Sequence, residues 1–243
     1  MFITFEGGDG AGKTTQAVRL VDRLNATNHR AHFTREPGGT PLAWGIRALL
    51  LNPEESLEAL WRFGLVSTHE PVEETLPLTE LLLLTAARTQ HVERIRAWLD
   101  SGLIVVCDRF ADATRAYQGA ARGLSQEVVG FLEEQATGGL KPDLTFLFDL
   151  PVEQGQKRKQ RSLRRSFVQM NLFETRPWNR LDRESIGFHE RVRQGYLEVA
   201  KAEPERWVIL DATQPIDKLA SEVWEVVSSR LPLPPDSLAP SDS

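Results

Sequence analysis

Eight residues near the N-terminus form a glycine-rich pattern that constrains the fold of this chain more than any other feature. They match the phosphate-binding pattern G-x-x-x-x-G-K-[ST], as Gly7-Gly8-Asp9-Gly10-Ala11-Gly12-Lys13-Thr14. The apolar run of residues 1–5 precedes them, and residues 16–24 repeat apolar side chains at helical spacing. An accidental glycine-rich turn is the alternative, but the flanking strand and helix disfavour it. The pattern therefore predicts a nucleoside triphosphate site, with Lys13 at the β- and γ-phosphates and Thr14 on Mg²⁺.

Size, charge and cysteine content restrict the class of protein. The 243 residues suit one α/β domain, and the net charge of −5 argues against general adhesion to nucleic acid or membranes. The longest apolar run, residues 81–84, is far shorter than the ~18 residues of a membrane span, and no secretory signal precedes the first strand. The single cysteine, Cys107, excludes an internal disulfide framework, and the five histidines lack zinc-ligand spacing. We therefore expect a cytoplasmic protein that binds neither membranes nor nucleic acid.

Four further apolar runs predict buried strands, over residues 31–34, 103–107, 144–148 and 207–210. Helical patterns separate them, at residues 78–99, 126–135, 185–201 and 215–231. This alternation predicts the α/β class, with a five-stranded parallel sheet flanked by helices in a three-layer P-loop NTPase fold. We expect a single domain over residues 1–230, a helical lid at about residues 155–183, and a disordered Pro- and Ser-rich tail over residues 231–243.

Charged residues follow the third predicted strand, at the sheet edge where ligands gather in such folds. In a P-loop protein a Mg²⁺-associated carboxylate is expected at the position of Asp108, and Arg109 can donate two hydrogen bonds to phosphate oxygens. A surface Asp–Arg pair is the alternative, and behind a P-loop we favour the functional interpretation. The loop of residues 34–40 combines charged residues with glycines, and a plain turn is its alternative.

Six motifs occur in a fixed order over most of residues 1–230. They are the P-loop segment 5–15, Thr34-Arg35-Glu36-Pro37-Gly38-Gly39-Thr40, Ala86-Ala87-Arg88, Asp108-Arg109-Phe110 leading to Ala116-Tyr117-Gln118-Gly119, Lys141-Pro142-Asp143-Leu144-Thr145, and Asp211-Ala212-Thr213-Gln214-Pro215. This ordered set resembles the bacterial thymidylate kinase family of P-loop nucleoside monophosphate kinases. The resemblance implies Mg²⁺-assisted, in-line transfer of the γ-phosphate of ATP to dTMP, giving dTDP for dTTP synthesis, and a homodimer.

The resemblance also implies a role for each matching residue. The ATP-binding set is Gly7, Gly8, Asp9, Gly10, Ala11, Gly12, Lys13, Thr14 and Thr15 at the phosphates, with Thr213, Gln214 and Pro215 at the adenine. The acceptor-binding set is Asp9, Glu36, Arg47, Leu84, Arg88, Arg109, Thr114, Tyr117 and Gln118. The catalytic set is Lys13, Asp9, Asp108, Arg109 and Arg180, and the metal set is Thr14, Asp108 and Asp9.

The lid differs from the family pattern. Residues 157–165 carry six positive charges and no acid, and residues 166–179 look inserted. Arg180 is the first choice for the lid arginine of the transition state, with Arg158 and Arg161 behind it. A solvated helix face is the alternative for the basic run, and nucleic-acid attachment is a weaker one.

Other departures affect the choice of acceptor. Leu84 stands where the family commonly has an aromatic residue stacked on thymine, and Ala113 replaces a frequent serine. These changes leave two alternatives open: a different acceptor such as dUMP, or a catalytically reduced nucleotide-binding regulatory homologue. Residues 52–77 are longer than the family norm and carry several glutamates, and a solvated acidic surface segment is the preferred interpretation.

Overall fold

The computed structural model describes residues 1–66, 72–166 and 179–231, with the side chains of residues 162–166 left out. The predicted tail beyond Leu231 and most of the apparent lid insertion therefore lie outside the described residues. The strands are β1 (Phe2–Gly7), β2 (Ala31–Arg35), β3 (Ile104–Asp108), β4 (Leu144–Asp149) and β5 (Trp207–Asp211). They form one parallel sheet in the order β2-β3-β1-β4-β5, which confirms the predicted α/β class. Each strand lies within one to two residues of the apolar run that predicts it.

Helices connect the strands and cover both faces of the sheet. They are α1 (Lys13–Ala26), α2 (Pro41–Leu51), α3 (Pro53–Arg62), α4 (Pro77–Asp100), α5 (Ala111–Thr114), α6 (Gln126–Thr137), α7 (Val152–Ser166), α8 (Ile186–Ala202) and α9 (Ile216–Ser228). A π-helix (Arg115–Ala121) continues α5, and a 3₁₀ helix (Arg180–Arg183) precedes α8. Among the described residues, no helix is long and apolar enough to cross a membrane.

The core has two apolar layers, one on each side of the sheet. On one side, Phe5, Phe146 and Phe148 pack with residues of α1 and α9, and all three rings are fully buried. On the other side, α4 and α8 cover β3 and β4. Parallel strands that are buried on both faces need continuous apolar runs, which explains why their sequences predict them well.

The acidic segment at residues 52–77 contains a helix, α3, that is not among the predicted helical segments. In α3, Glu54 and Glu55 lie in the first turn and Arg62 lies in the last turn, an order that complements the helix dipole. Glu58 accepts a hydrogen bond from Arg62 at 2.5 Å, and the side chains of both residues are more than half exposed. A solvated acidic surface is therefore confirmed for this helix, while Glu70 lies outside the described residues.

Candidate active site

The P-loop connects the end of β1 to the start of α1, as its pattern predicts. Gly7, Gly10 and Gly12 have φ angles of 133°, 76° and 91°, which side chains with a Cβ rarely adopt. A Cβ on Gly7 would lie 2.5 Å from the carbonyl oxygen of Phe148, so the close approach of β4 also requires glycine there. Lys13 lies at the first position of α1 and donates from Nζ to the Gly8 carbonyl oxygen at 2.8 Å. The loop is therefore shaped for backbone N–H groups to surround an anion.

Thr14, Asp108 and Arg35 lie together at one corner of a cavity beside the P-loop, which we call the phosphate cavity. Thr14 Oγ1 donates to Asp108 Oδ2, and Arg35 NH2 donates to Asp108 Oδ2 at 3.1 Å and to Thr14 Oγ1 at 3.2 Å. Asp108 ends β3 beside the P-loop, because β3 is the neighbour of β1 in the sheet. Within the described part of the chain, no group of three or more His, Cys, Asp or Glu residues could hold a metal alone. A hydroxyl and one carboxylate fit Mg²⁺, which is commonly bound by one or two carboxylates together with substrate phosphates.

Asp9 and Arg109 line the phosphate cavity and also a second, neighbouring cavity. Arg109 NH2 donates to Asp9 Oδ1 at 2.6 Å and to the Tyr117 hydroxyl at 3.0 Å, while its NH1 donates to the Tyr196 hydroxyl at 2.8 Å. Lys159 of α7 places Nζ 3.6 Å from Asp9 Oδ2. Burial alone would raise the pKa of Asp9, but Arg109, Lys159 and Lys13 hold it well below its usual range. Asp9 is therefore an ionised group surrounded by cations.

The phosphate cavity is rich in positive charge. Its lining comprises Asp9, Gly10, Gly12, Lys13, Thr14, Thr15, Arg35, Glu36, Arg47, Asp108, Arg109, Arg158, Lys159 and Asn179. Burial and the neighbouring Arg109 lower the pKa of Lys13 to about 8, although nearby carboxylates oppose this change. Crowded cations of this kind are stabilised by a multiply charged anion such as a triphosphate.

The nine residues predicted to bind the acceptor line one cavity. Its lining comprises Asp9, Glu36, Pro37, Arg47, Leu51, Leu84, Ala87, Arg88, Arg109, Phe110, Ala113, Thr114, Tyr117, Gln118, Asn179 and Leu181. Asp9, Glu36, Arg47, Arg109 and Asn179 line the phosphate cavity as well. An acceptor in the first cavity and a triphosphate in the second would therefore meet at these shared side chains.

A buried ion pair forms the wall of the acceptor cavity. Arg88 donates from Nε to Glu36 Oε2 at 2.8 Å and from NH2 to the Phe110 carbonyl oxygen at 3.2 Å. His91 Nδ1 lies 3.1 Å from the other Glu36 oxygen. Burial would raise the pKa of Glu36, but Arg88 and His91 lower it. NH1 of Arg88 is buried without a hydrogen-bond partner in the described structure, so this donor is available to a ligand.

Arg47 is placed between the two cavities. Its NH1 donates to the Pro37 carbonyl oxygen at 3.1 Å, and its guanidinium lies 5.7 Å from the Trp44 ring centroid. Burial and the neighbouring Arg35 lower the pKa of Arg47 to about 10, in spite of nearby carboxylates. No carboxylate of the described residues forms a salt bridge with it. This cation is therefore suited to bind a phosphate.

The predicted adenine loop follows β5 beside the phosphate cavity. Asp211 accepts hydrogen bonds from the Thr213 backbone at 3.0 Å and from Gln214 Nε2 at 2.8 Å, which fixes the turn before Pro215. Arg158 of α7 lines the phosphate cavity and donates to the Ala212 carbonyl oxygen at 2.8 Å. Neither Thr213, Gln214 nor Pro215 lines the two cavities described above.

The lid cations differ in their placement. Arg180, the first choice from sequence, donates to Glu80 and to the Leu50 carbonyl oxygen at 3.1 Å, and it does not line the phosphate cavity. Arg158 and Lys159 do line that cavity, whereas Arg161 is exposed on α7. The structure therefore brings Arg158 to the phosphate site and leaves Arg180 at a buried carboxylate.

Several residues of the site have no role predicted from the sequence. Glu6 is fully buried, accepts from the Phe110 backbone N–H at 2.7 Å and accepts from the Tyr196 hydroxyl at 2.8 Å. An acidic residue inside an apolar strand is a signal that could have identified it. Tyr196 and Lys159 carry no such signal, because their contacts join distant parts of the chain.

Comparisons with known proteins agree with one another. The family model for thymidylate kinase matches residues 5–223. The chain is 48% identical over 224 residues to the thymidylate kinase of Desulfosudis oleivorans, covering 92% of this chain and 94% of the relative. It is 44% identical over 231 residues to the thymidylate kinase of Deinococcus radiodurans, covering 95% and 97%. The crystal structure of thymidylate kinase from Ehrlichia chaffeensis superimposes with a TM-score of 0.63 at 30% identity, covering 94% of this chain and 98% of that one.

Proposed function

The chain belongs to the thymidylate kinase family, and from this premise we propose that it transfers the γ-phosphate of ATP to dTMP through the junction of its two cavities. The observation that carries this proposal is that Asp9, Arg47 and Arg109 line both cavities at once. An oxygen of the dTMP phosphate would attack the γ-phosphorus in line, the bond from that phosphorus to the β–γ bridging oxygen would break, and ADP would leave without a covalent enzyme intermediate. The enzyme then contributes position and positive charge.

On the ATP side, the P-loop and Lys13 would hold the β- and γ-phosphates. Lys13 lies at the N-terminus of α1, where the helix dipole adds partial positive charge. Thr14 and Asp108 would hold Mg²⁺, and Arg35 fixes both of their oxygens. When bound, the ion neutralises charge that develops on the phosphate oxygens. The two carboxylate oxygens of Asp9 contact Arg109 and Lys159. We therefore assign Asp9 to positioning these cations and not to holding Mg²⁺.

On the acceptor side, Arg88, Arg47 and Arg109 would bind the dTMP phosphate. Arg88 offers its unpartnered NH1, and Glu36 holds its guanidinium in place. Tyr117 packs under Arg109, with the guanidinium carbon 4.9 Å from the ring centroid. Leu84, Thr114 and Gln118 also line this cavity and would surround the deoxyribose and the base. Leu84 supplies packing there instead of an aromatic platform.

We assign the lid charge of the transition state to Arg158 and Lys159. Both side chains lie on α7 and face the phosphate cavity, within one turn of Gly155. A lid or finger arginine contributes a factor of about 10³ to 10⁵ in related phosphoryl transfers. Arg180 instead contacts Glu80 and does not line the phosphate cavity.

We also propose that the protein is a cytoplasmic homodimer. Its single cysteine is free and buried, in accord with a reducing compartment. The adjacent helices α2, α4 and α6 leave large apolar side chains exposed on their outer faces: Leu42, Leu49, Leu78, Leu82, Val128 and Phe131. We call this surface the α2–α4–α6 face. Exposed apolar residues on neighbouring helices are typical of an interface, and a second copy of the chain would bury them.

A coupled ATP-consumption assay with Mg²⁺ tests the proposed activity. The acceptors are dTMP, dUMP, dCMP, dAMP, dGMP and UMP, and we expect the highest kcat/KM for dTMP. Lys13→Ala should lower kcat by about 10³ or more, because the lysine stabilises developing charge, whereas the exposed Lys201→Ala should not. Preference for another monophosphate would move the function to that acceptor. A protein that binds ATP but is inactive on all six would contradict the proposal.

A further inference from the structure

Glu80 is a buried carboxylate to which the mechanism above gives no part. It lies in the first turn of α4, and only 2% of its surface is exposed. Its Oε1 accepts a hydrogen bond from Gln118 Nε2 at 2.5 Å. Its Oε2 accepts from Arg180 and, at 3.5 Å, from Arg122. One carboxylate therefore joins a side chain of the acceptor cavity to two arginines, of which Arg180 follows the lid helix.

Two arginines make a buried charge at Glu80 tolerable, and each of them is fixed by a further contact. Arg122 also donates to Glu184 Oε1 at 2.5 Å, and its guanidinium carbon lies 4.6 Å from the Phe188 ring centroid. Arg180 also donates to the Leu50 carbonyl oxygen at the end of α2. A buried carboxylate with such partners is held in one position. Glu80 is thus a rigid hydrogen-bond acceptor.

The rigid carboxylate determines which end of the Gln118 amide faces the acceptor cavity. A side-chain amide has an NH₂ end that donates and a carbonyl end that accepts, whereas a carboxylate only accepts. The NH₂ end of Gln118 must therefore face Glu80. Gln118 also lines the acceptor cavity, so its carbonyl oxygen is the end left for a ligand. Without Glu80, the two orientations of the amide would differ little in shape.

We propose that Glu80 is a positioning residue that selects the nucleobase of the acceptor by fixing the Gln118 amide; this inference rests on the proposed function. Thymine and uracil carry an N–H at ring position 3, whereas cytosine has an unprotonated acceptor nitrogen there. A fixed carbonyl oxygen can accept a hydrogen bond from the N3–H of thymine or uracil. With cytosine it would face the lone pair of N3 instead. Sites that hydrogen-bond one partner in this way discriminate strongly against an analogue that cannot pair.

The variant Glu80→Gln tests this proposal, because an amide at position 80 can pair with either end of Gln118. We would measure kcat and KM for dTMP, dUMP and dCMP at saturating ATP, with melting temperatures for each protein. The preference for dTMP over dCMP in kcat/KM should fall at least about tenfold, mainly through KM. The preference for dTMP over dUMP should not change, because both bases carry the N–H.

Glu184→Gln is the matched control, because Glu184 contacts the same Arg122 without touching Gln118. It should keep the wild-type base preference. In a Gln118→Leu background, Glu80→Gln should change the preference no further. If Glu80→Gln does not fold, Glu80→Asp withdraws the carboxylate from Gln118 and should weaken the preference in the same direction.

Three outcomes would overturn the proposal. Equal losses for dTMP and dCMP in the folded variant would show that Glu80 only supports packing, and an additive effect in the Gln118→Leu background would show that it acts by another route. If Glu80→Gln does not fold, an unchanged preference for dTMP over dCMP in a folded Glu80→Asp protein would also overturn the proposal. A wild-type enzyme that is inactive on dTMP would instead contradict the proposed function.

Discussion

At the scale of single residues, Arg88 shows how the fold prepares a site for an anion. Two of its donating groups are used by Glu36 and by the Phe110 carbonyl oxygen, while NH1 stays buried without a protein partner. Burial alone would lower the pKa of Arg88, but Glu36 raises it, so its charge is permanent. An unpaired buried donor costs about 1–3 kcal/mol, which a bound phosphate would recover.

Arg88→Lys should therefore affect one substrate only. The lysine keeps the charge but loses the forked geometry, so the KM for dTMP should rise about 30- to 100-fold, equivalent to about 2–3 kcal/mol. The KM for ATP should stay within about twofold. Steady-state kinetics with each substrate varied in turn measures both values. Arg96→Lys is the control, because Arg96 lies on the same helix and donates to the Thr137 and Gly138 carbonyl oxygens. Equal rises in both KM values would contradict the acceptor-side placement.

Glu6 gives the protein a pH-dependent stability. Burial, with a smaller contribution from Asp112, raises the pKa of Glu6 from 4.5 to about 8. Between these values the folded state keeps a proton that the unfolded state releases, so stability falls as pH rises through this window. The expected loss from pH 6 to pH 8 is on the order of 2 kcal/mol.

Glu6→Gln should remove this dependence, because the amide can accept from the Phe110 N–H and donate to Tyr196 without titrating. Thermal unfolding between pH 6 and pH 8.5 should show a flatter Tm profile for the variant than for the wild type. At pH 8 the variant should be at least as stable as the wild type. The exposed Glu205→Gln serves as the control and should keep the wild-type slope. Parallel profiles for the wild type and Glu6→Gln would exclude Glu6 as the source.

Sequence could predict those site residues whose position in the fold is determined by the short segment of chain around them. Asp108 and Arg109 directly follow a buried strand, and Arg88 has a fixed spacing on a long helix, so motif order suffices to bring them together. Arg180 differs, because its partner Glu80 lies 100 residues earlier in the chain. An ion pair across that separation leaves no local pattern, and the apparent insertion before Arg180 blurs its register.

At the scale of elements, the lid helix α7 contacts the P-loop through two glycines. A Cβ on Gly10 would collide with the Gly155 carbonyl oxygen, and a Cβ on Gly155 would collide with the Asp9 carbonyl oxygen. The backbones of the two elements therefore touch directly. This contact places Arg158 and Lys159 over the phosphate cavity.

Gly155→Ala should push α7 away from the P-loop and carry both cations with it. We expect kcat to fall at least about tenfold, because the lid charge acts on the transition state, with little change in Tm. Gly130→Ala is the matched control: it is also a helical glycine, but its added Cβ meets no atom within 4 Å. That control should gain about 0.5–1 kcal/mol of stability from helix propensity and keep its activity. Wild-type kcat in Gly155→Ala would contradict the proposed lid contact.

Helices and strands could be predicted where the apolar pattern of one continuous segment is sufficient to form them. The five strands and the long helix α4 follow from apolar patterns that any segment of that composition would show. The π-helix does not, because it depends on α8 packing closely against it: a Cβ on Gly195 would lie 2.7 Å from the Cβ of Ala120. Helix α3 is missed although Leu57, Leu60 and Trp61 recur at helical spacing, because the acidic composition of the segment favours its interpretation as a solvated surface.

At the scale of the whole molecule, charge is distributed unevenly. The chain has a net charge of −5, yet its phosphate cavity is lined by Lys13, Arg35, Arg47, Arg109, Arg158 and Lys159. A positive cleft in an otherwise acidic protein attracts nucleotides while disfavouring general binding to polyanions. The α2–α4–α6 face, in contrast to this cleft, presents exposed apolar side chains and is suited to a second copy of the chain.

Leu82→Glu tests that face, because Leu82 lies on α4 with 49% of its surface exposed. Facing a second copy, the added carboxylate would be buried without a partner, which is costly enough to separate the subunits. Light scattering at micromolar concentration should give twice the chain mass of 27.4 kDa for the wild type and the single mass for the variant. Val18→Glu is the control, since Val18 is 40% exposed on α1, and it should remain dimeric. A dimeric Leu82→Glu protein would place the interface elsewhere, and a monomeric wild type would contradict the homodimer itself.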